Sequence, residues 1–215
     1  MASKVKPSAE RAESSSADQL LNATSALMIE RNSVDVTFAD IAEKSGLNAA
    51  LIRYHFGSKL GMFMALLERD AGGTFHELEK LIASDMDAAT KLRHHVHGVI
   101  KVYFRYPYMN RLVAALAVET DSETARFISE RFSRPLAAAQ KAILEQGEAE
   151  GVFRKIDPML FYFSLIGACD HLFNARHSLK YAFGIEDIDD ELRKAYATHM
   201  TDLLMRSVLV HPESG

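Results

Sequence analysis

The chain of 215 residues lacks several features that whole classes of protein require. Cys169 is its single cysteine, which excludes an intrachain disulfide and a thiolate-rich zinc or iron–sulfur site. The sequence has no run of about 18 uncharged apolar residues, so we expect no membrane span. The polar stretch 1–16 also lacks the apolar segment of a secretory signal. We therefore expect a cytoplasmic protein with no membrane partner.

Neither sign of charge is in large excess. The chain has 25 Lys and Arg residues against 29 Asp and Glu residues, which gives a formal net charge of -4. This balance excludes a wholly basic nucleic-acid binder, although it leaves room for one locally basic surface. Apolar residues make up 48% of the chain, which is ordinary for a protein that buries a core and argues against disorder throughout.

Proline is scarce too, and none of the five prolines lies between Ser8 and Tyr106. A β-rich chain needs turn signals about every 8–12 residues, and these are missing. Apolar residues instead recur at spacings of three and four, as in Leu20, Ala23 and Leu27, which is the period of a helix. The sequence therefore predicts an all-α protein. We expect helices at about 18–31, 37–46, 48–55, 58–69 and beyond, 87–106, 107–120, 122–150, 157–180 and 189–208, with Pro135 kinking or dividing the stretch 122–150.

The most informative stretch is Thr37–Lys59, which reads TFADIAEKSGLNAALIRYHFGSK. Its two short predicted helices, joined by the turn Ser45-Gly46-Leu47, fit a helix-turn-helix. Thr37 and Asp40 are spaced as a capping box, and Gly46 permits a left-handed backbone in the turn. We expect the apolar residues to pack inward and the small, polar and cationic residues to point outward; the inward set is Ile41, Ala42, Leu47, Ile52 and Phe56, and the outward set is Asn48, Ala49, Ala50, Arg53, Tyr54 and His55. Small residues let such a helix enter the major groove, where an arginine reaches guanine.

On these residues the chain resembles the TetR family of bacterial one-component regulators. The matching residues are Thr37, Ile41-Ala42, Gly46-Leu47, Leu51-Ile52-Arg53-Tyr54-His55-Phe56 and Ser58-Lys59, and the resemblance covers roughly residues 18–67. It implies a homodimer with three-helix DNA-binding heads, a helical core that binds a small ligand, and a four-helix dimer interface made by two C-terminal helices. We accordingly expect a flexible arm at 1–16, a helix-turn-helix DNA-binding domain at 17–63, and a larger helical effector-binding and dimerisation domain at 64–215.

The resemblance also implies roles for individual residues. The DNA-binding residues that it indicates are Thr37, Asn48, Ala49, Ala50, Arg53, Tyr54, His55 and Lys59. Lys59 matches the phosphate-binding lysine of the family. The chain departs from the family at Asn32, where glycine is common, and at Arg53, where tyrosine is common, which places a base-reading cation on the recognition helix. Capping alone remains an alternative role for Thr37 and Asn48, and packing against the first helix remains one for Tyr54.

Residues after Lys59 make up about two thirds of the chain and are rich in aromatic side chains. Such groups suit a cavity for an apolar or amphipathic effector, although an ordinary helical core explains them as well. The residues that we expect to bind the effector are Phe104, Tyr108, Phe127, Phe163 and His171. Those that we expect at the dimer interface are Leu160, Phe163, Ser164, Gly167, Met200 and Leu204, with completion of the monomer core as the alternative.

Other function classes have weaker support. His94 and His97 are three residues apart and can share a helix face, with His76 nearby in sequence, but no HExxH or Cys/His spacing accompanies them. The chain also lacks a glycine-rich phosphate loop and a Gly-x-Ser-x-Gly elbow, so we expect no enzyme, no cofactor and no metal. The sequence favours a ligand-responsive regulator, acting as a repressor on a palindromic operator. An all-helical ligand- or metal-binding protein without DNA function is the alternative.

Overall fold

The structure of the chain, a computed structural model, describes residues 9–119 and 121–210. Helices occupy most of these residues. Their bounds are α1 Ala9–Arg31, α2 Phe38–Ser45, α3 Ala50–Phe56, α4 Lys59–Ala83, α5 Ala88–Arg105, α6 Met109–Glu119, α7 Ser122–Ile128, α8 Arg134–Ala149, α9 Pro158–Asn174, α10 Arg176–Phe183 and α11 Asp190–Val208. Within the described ranges the β pairing is a single isolated bridge between Phe153 and Leu209. The predicted all-α class is confirmed.

Two predicted boundaries differ from the structure. The first helix begins at Ala9 and not at Asp18, so residues 9–16 of the expected arm are helical, while residues 1–8 lie outside the described part. The sequence from Ala9 to Glu13 is polar, but it consists of alanine, glutamate and arginine, which are strong helix formers. The chain divides into compact units at Met1–Arg69 and Asp70–Gly215, a boundary inside α4 that lies beyond the one expected after residue 63.

The N-terminal unit is built around apolar residues from four helices. Leu20, Leu27 and Met28 of α1 are buried, as are Ile41 of α2 and Ile52 of α3; Met62, Leu66 and Leu67 of α4 are buried as well. Two exposed ion pairs join α1 to α2, one from Arg31 to Asp40 at 2.7 Å and one from Lys44 to Glu30 at 2.6 Å. The three-helix arrangement that the sequence predicts for 17–63 is therefore present, with α4 contributing its first turns to the core.

The C-terminal unit has a separate core between α5, α8, α9 and α11. Buried members of this cluster include Leu92, Val96 and Ile100 from α5, together with Leu165 and Phe173 from α9. The predicted helix over 122–150 is divided, because α7 ends at Ile128 and a π-helical segment, Ser129–Ser133, precedes α8. Pro135 lies in the first turn of α8, directly after the π-helical segment. None of the described helices is long and apolar enough to cross a membrane.

Candidate DNA-binding surface and ligand cavity

The turn between α2 and α3 is held by local hydrogen bonds. Thr37 caps α2, since its hydroxyl accepts from the Asp40 N–H at 3.1 Å and its own N–H donates to the Asp40 carboxylate at 2.8 Å, which confirms the predicted capping box. Gly46 ends α2 with φ of 69°, in the left-handed region that the sequence predicted. The Asn48 side chain accepts from the Ala50 N–H at 2.8 Å and so fixes the start of α3.

Side chains on α3 divide into an inward and an outward set. Ile41 and Ile52 are fully buried, whereas the other expected inward residues, Ala42, Leu47 and Phe56, are half-buried. The outward face carries the exposed residues Asn48, Ala50, Arg53 and Tyr54, with Ala49 half-buried beside them; Thr37 before α2 and Lys59 at the start of α4 are exposed as well. The helix-turn-helix therefore presents a mixed surface of small, polar and cationic groups.

His55 is placed differently from the other outward residues. It is half-buried, and its Nε2 lies 2.8 Å from the Ser16 hydroxyl of α1. The ring of Tyr54 packs edge-on against the His55 imidazole with centroids 5.0 Å apart. Because α1 engages one ring nitrogen, His55 joins α3 to α1, a role that the sequence did not indicate, and only Nδ1 remains for a phosphate.

The start of α4 approaches the end of α3 closely. The Ser58 hydroxyl accepts from the Gly61 N–H at 3.0 Å and caps α4. A Cβ atom at Gly61 would lie 2.1 Å from the Phe56 carbonyl oxygen, so this approach requires glycine. Lys59 extends its ammonium over the Phe63 ring, 5.4 Å from the ring centroid. Gly61 was not among the predicted site residues, because the close approach of the Phe56 carbonyl oxygen is visible only in the structure.

The ion pair between α1 and α2 acts on the capping carboxylate. The Arg31 guanidinium, together with the Thr37 hydroxyl and N–H, holds the pKa of Asp40 well below its usual range. Asp40 therefore stays ionised at neutral pH and accepts hydrogen bonds from both helices. These contacts anchor the end of α2 at which Thr37 is exposed.

The C-terminal unit contains a cavity of about 460 Å³ between α4, α5, α6 and α8. Most of its lining surface is carbon. The apolar lining residues include Phe75 and Leu78 of α4, Val99 and Tyr103 of α5, Met109 and Val113 of α6, and Phe132 of the π-helical segment. A smaller cleft of about 250 Å³, with Arg126 and Arg134 in its wall, shares Ser133 and Tyr162 with the larger cavity. A cavity of this size and chemistry suits a small, largely apolar molecule.

None of the five residues that the sequence predicted to bind the effector lines the cavity. Phe104 packs edge-on against Phe173 and lies under the Arg193 guanidinium. Tyr108 is fully buried and donates a hydrogen bond to Asp70. The other three, Phe127, Phe163 and His171, are exposed on α7 and α9. The lining residues that the sequence missed are neighbours of some of these, such as Tyr103 beside Phe104 and Tyr162 beside Phe163.

The expected dimer residues fall into two groups. Leu160, Phe163, Ser164 and Gly167 are exposed along α9, with Phe163 at 67% exposure. Met200 and Leu204 of α11 are buried and belong to the core cluster of the C-terminal unit, so the expectation that they face a partner is corrected. Leu203 of α11 is a large apolar residue that is exposed.

The three neighbouring histidines of α5 differ in exposure. His94 and His97 are exposed, and His95 between them is buried. Among the described residues, no group of three or more His, Cys, Asp or Glu side chains is arranged to hold a metal ion. The polar residues of the cavity wall include His95 and Asn110, which offer hydrogen bonds.

Comparison with protein families gives two matches. Residues 20–66 match the model of bacterial regulatory proteins of the tetR family, and residues 85–213 match the model of the tetracyclin repressor-like C-terminal domain. The first match covers the helix-turn-helix. The second covers the exposed face of α9 and the cavity wall apart from the residues of α4 and Ser84.

Individual relatives give the same picture. The chain is 26% identical over 167 residues to the HTH-type transcriptional repressor NicS of Pseudomonas putida, which covers 75% of this chain and 77% of NicS. It is 28% identical over 162 residues to the nucleoid occlusion factor SlmA of Salmonella paratyphi A, which covers 73% of this chain and 81% of SlmA.

Solved structures share the fold. A bacterial regulatory protein of the tetR family from Rhodococcus superposes with a TM-score of 0.73 at 14% identity over 92% of this chain and 98% of its own. The ketosteroid transcriptional regulator KstR2 of Mycobacterium tuberculosis superposes with a TM-score of 0.69 at 18% identity over 91% of this chain and 95% of its own.

Proposed function

The chain belongs to the TetR family of bacterial regulatory proteins, and from this premise we propose that it is a repressor that binds a palindromic operator as a homodimer and releases it when an effector fills the cavity. The proposal makes the chain a regulator and not an enzyme. It also places the protein in the cytoplasm, where operator DNA is found.

The outward face of α3 is the observation that carries the DNA-binding part of the proposal. Arg53 is exposed between Ala50 and Tyr54, so its guanidinium is available for a bidentate contact with guanine. Thr37 and Lys59, from the starts of α2 and α4, are exposed and suit contacts with phosphates, which position the helix without reading sequence. We assign base reading to Arg53 and phosphate contacts to Thr37, Asn48, Tyr54 and Lys59.

The exposed face of α9 supports the homodimer. Met159, Leu160 and Phe163 are each more than half exposed, which is costly in water for three large apolar side chains on adjacent turns. Gly167, on the same helix, is exposed and lets a second helix approach closely. A twofold dimer presents two copies of α3, so its half-sites should lie about 34–36 Å apart or a multiple of this distance.

In the proposed mechanism, α4 couples effector binding in the cavity to DNA binding. This helix is continuous from Lys59 to Ala83, and its second half supplies Thr74, Phe75, Leu78 and Leu81 to the cavity wall. An effector that moves α4 would change the spacing of the two copies of α3. It must bind the released state more tightly than the DNA-bound state, since equal affinity shifts no population.

Selection of bound fragments from genomic DNA tests the proposal directly. The full-length protein should enrich a palindromic sequence, and an excess of unrelated duplex should not compete for it. Enrichment without sequence preference, or no enrichment in dilute salt, would contradict the proposed function. The Arg53→Ala variant is the matched control, because it should lose preference at one position of each half-site while retaining the fold.

A further inference from the structure

A buried polar pair interrupts the carbon surface of the large cavity. His95 of α5 lines the cavity and is 3% exposed, and its Nε2 lies 3.1 Å from the amide nitrogen of Gln140. Gln140 of α8 is 1% exposed and does not itself line the cavity. Gln140 therefore holds the imidazole from the protein side, while the cavity side of the ring stays available to a ligand.

The pair presents a neutral hydrogen-bonding group. Burial disfavours the imidazolium form and lowers the pKa of His95 to about 4, so the ring is uncharged at neutral pH. In the tautomer whose Nε2 accepts from the Gln140 amide, the ring proton is on Nδ1, and this N–H is the donor left for a ligand. The Gln140 amide oxygen is buried and has no hydrogen-bond partner among the described residues.

The acidic and basic residues of the cavity wall are exposed, whereas His95 and Gln140 are buried. Glu77 and Lys80 line the cavity but are exposed, which places them at its rim. An ionised ligand group beside His95 would lose its hydration without gaining an opposite charge. A pure hydrocarbon would instead leave the imidazole N–H unsatisfied, which is also unfavourable. A ligand with one uncharged polar group meets both conditions.

Building on the proposed effector role of the cavity, we propose that the effector is an uncharged, largely apolar molecule whose single polar group accepts a hydrogen bond from His95, with Gln140 positioning the ring. A phenol, alcohol or ketone on a hydrocarbon skeleton has this chemistry.

Three probes with one carbon skeleton test the class: naphthol, naphthoate and naphthalene. Titration of each into the full-length protein, followed by calorimetry or probe fluorescence, should give naphthol the tightest binding. One neutral hydrogen bond corresponds to a preference of about threefold to tenfold over naphthalene. Naphthoate should bind more weakly than naphthol.

His95→Leu tests whether His95 supplies the hydrogen bond to the ligand. His94→Leu is its matched control, because His94 is the adjacent residue on α5, lines the same cavity and is exposed. His95→Leu should remove the preference for naphthol while keeping or improving naphthalene binding, and His94→Leu should keep the preference. If His95→Leu does not fold, the double variant His95→Leu/Gln140→Leu removes both partners and leaves no buried polar group unpaired. His95→Gln should restore part of the preference.

Several results would overturn the inference. One is tighter binding of naphthoate than of naphthol, which would assign an anionic effector held by a rim cation such as Lys80. The others are no binding of naphthol and an unchanged preference for naphthol over naphthalene in both leucine variants. The titrations need no DNA, so they stand apart from the proposed function, whose own failure would appear as absent operator binding by the unliganded protein.

Discussion

The Tyr108 hydroxyl donates a hydrogen bond to the Asp70 carboxylate, and both side chains are buried. Asp70 belongs to α4, and Tyr108 precedes α6, so the bond ties together two helices that both line the cavity. Hydrogen bonds to charged groups are stronger than neutral ones. This bond therefore helps to set the position of the second half of α4.

Tyr108→Phe should destabilise the chain by about 1–3 kcal/mol, because the buried carboxylate of Asp70 loses a donor. The measurement is the free energy of unfolding in urea. Tyr106→Phe is the matched control, since Tyr106 is half-buried and its ring lies against the Arg105 guanidinium. Equal stability of the two variants would show that the Tyr108 hydroxyl contributes nothing of its own.

Local signals explain what could be predicted from the sequence. The capping pair Thr37 and Asp40, the left-handed Gly46 and the π-helical interruption before Pro135 each depend on a few neighbouring residues, and each is present in the structure. The helix-turn-helix is built from such signals almost entirely. Once the apolar residues that pack inward are identified, the remaining residues of its helices are predicted to point outward.

The cavity could not be predicted in the same way. Adjacent residues on a helix point about 100° apart, so choosing Phe104 in place of Tyr103, or Phe163 in place of Tyr162, selects a different side of α5 or α9. Which side faces a cavity depends on how distant helices pack. The same limit explains why the buried position of Met200 was missed.

Arg53→Ala should weaken operator binding by about 1–3 kcal/mol and relax the preference at one base pair of each half-site. The physical reason is the loss of a bidentate contact to guanine. Fluorescence anisotropy with a set of operator variants measures both effects. Arg53→Lys keeps the positive charge but loses the planar guanidinium that makes the bidentate contact. This variant should therefore keep more of the operator affinity than of the base preference. An alanine variant with wild-type affinity and specificity would remove Arg53 from base reading.

Lys59→Ala should weaken binding to all sequences alike, because a phosphate contact carries no sequence information. The slope of log K against log salt should decrease in magnitude by about one. Lys44→Ala is a suitable control: Lys44 is already paired with Glu30, 2.6 Å away. A wild-type salt slope in Lys59→Ala would contradict the phosphate role.

Acid should destabilise the chain through His95. Its pKa is lowered from 6.5 to about 4 in the folded chain, so the unfolded chain binds the extra proton first as the pH falls. The contribution is fully present above pH 6.5 and is lost progressively towards pH 4. Its size is about 3 kcal/mol.

Urea unfolding of the wild type and of His95→Gln across this pH window measures the contribution. The difference in stability between the two proteins should shift in favour of the variant as the pH falls. His94→Gln, which changes an exposed neighbour, should follow the wild type. Parallel pH profiles for the wild type and His95→Gln would mean that His95 is not kept neutral by burial.

Phe163→Glu should break the proposed homodimer without unfolding the monomer, because the side chain is 67% exposed on α9 and the charge repels its copy across a twofold axis. Sedimentation at micromolar concentration should show a monomer with wild-type helix content by circular dichroism. Met200→Glu is the contrasting variant: Met200 is buried in the core, so its replacement should reduce helix content as well as assembly. A Phe163→Glu dimer would move the interface away from this face of α9. The monomeric variant should also bind the full operator much more weakly than the wild type, since it presents one copy of α3 and not two.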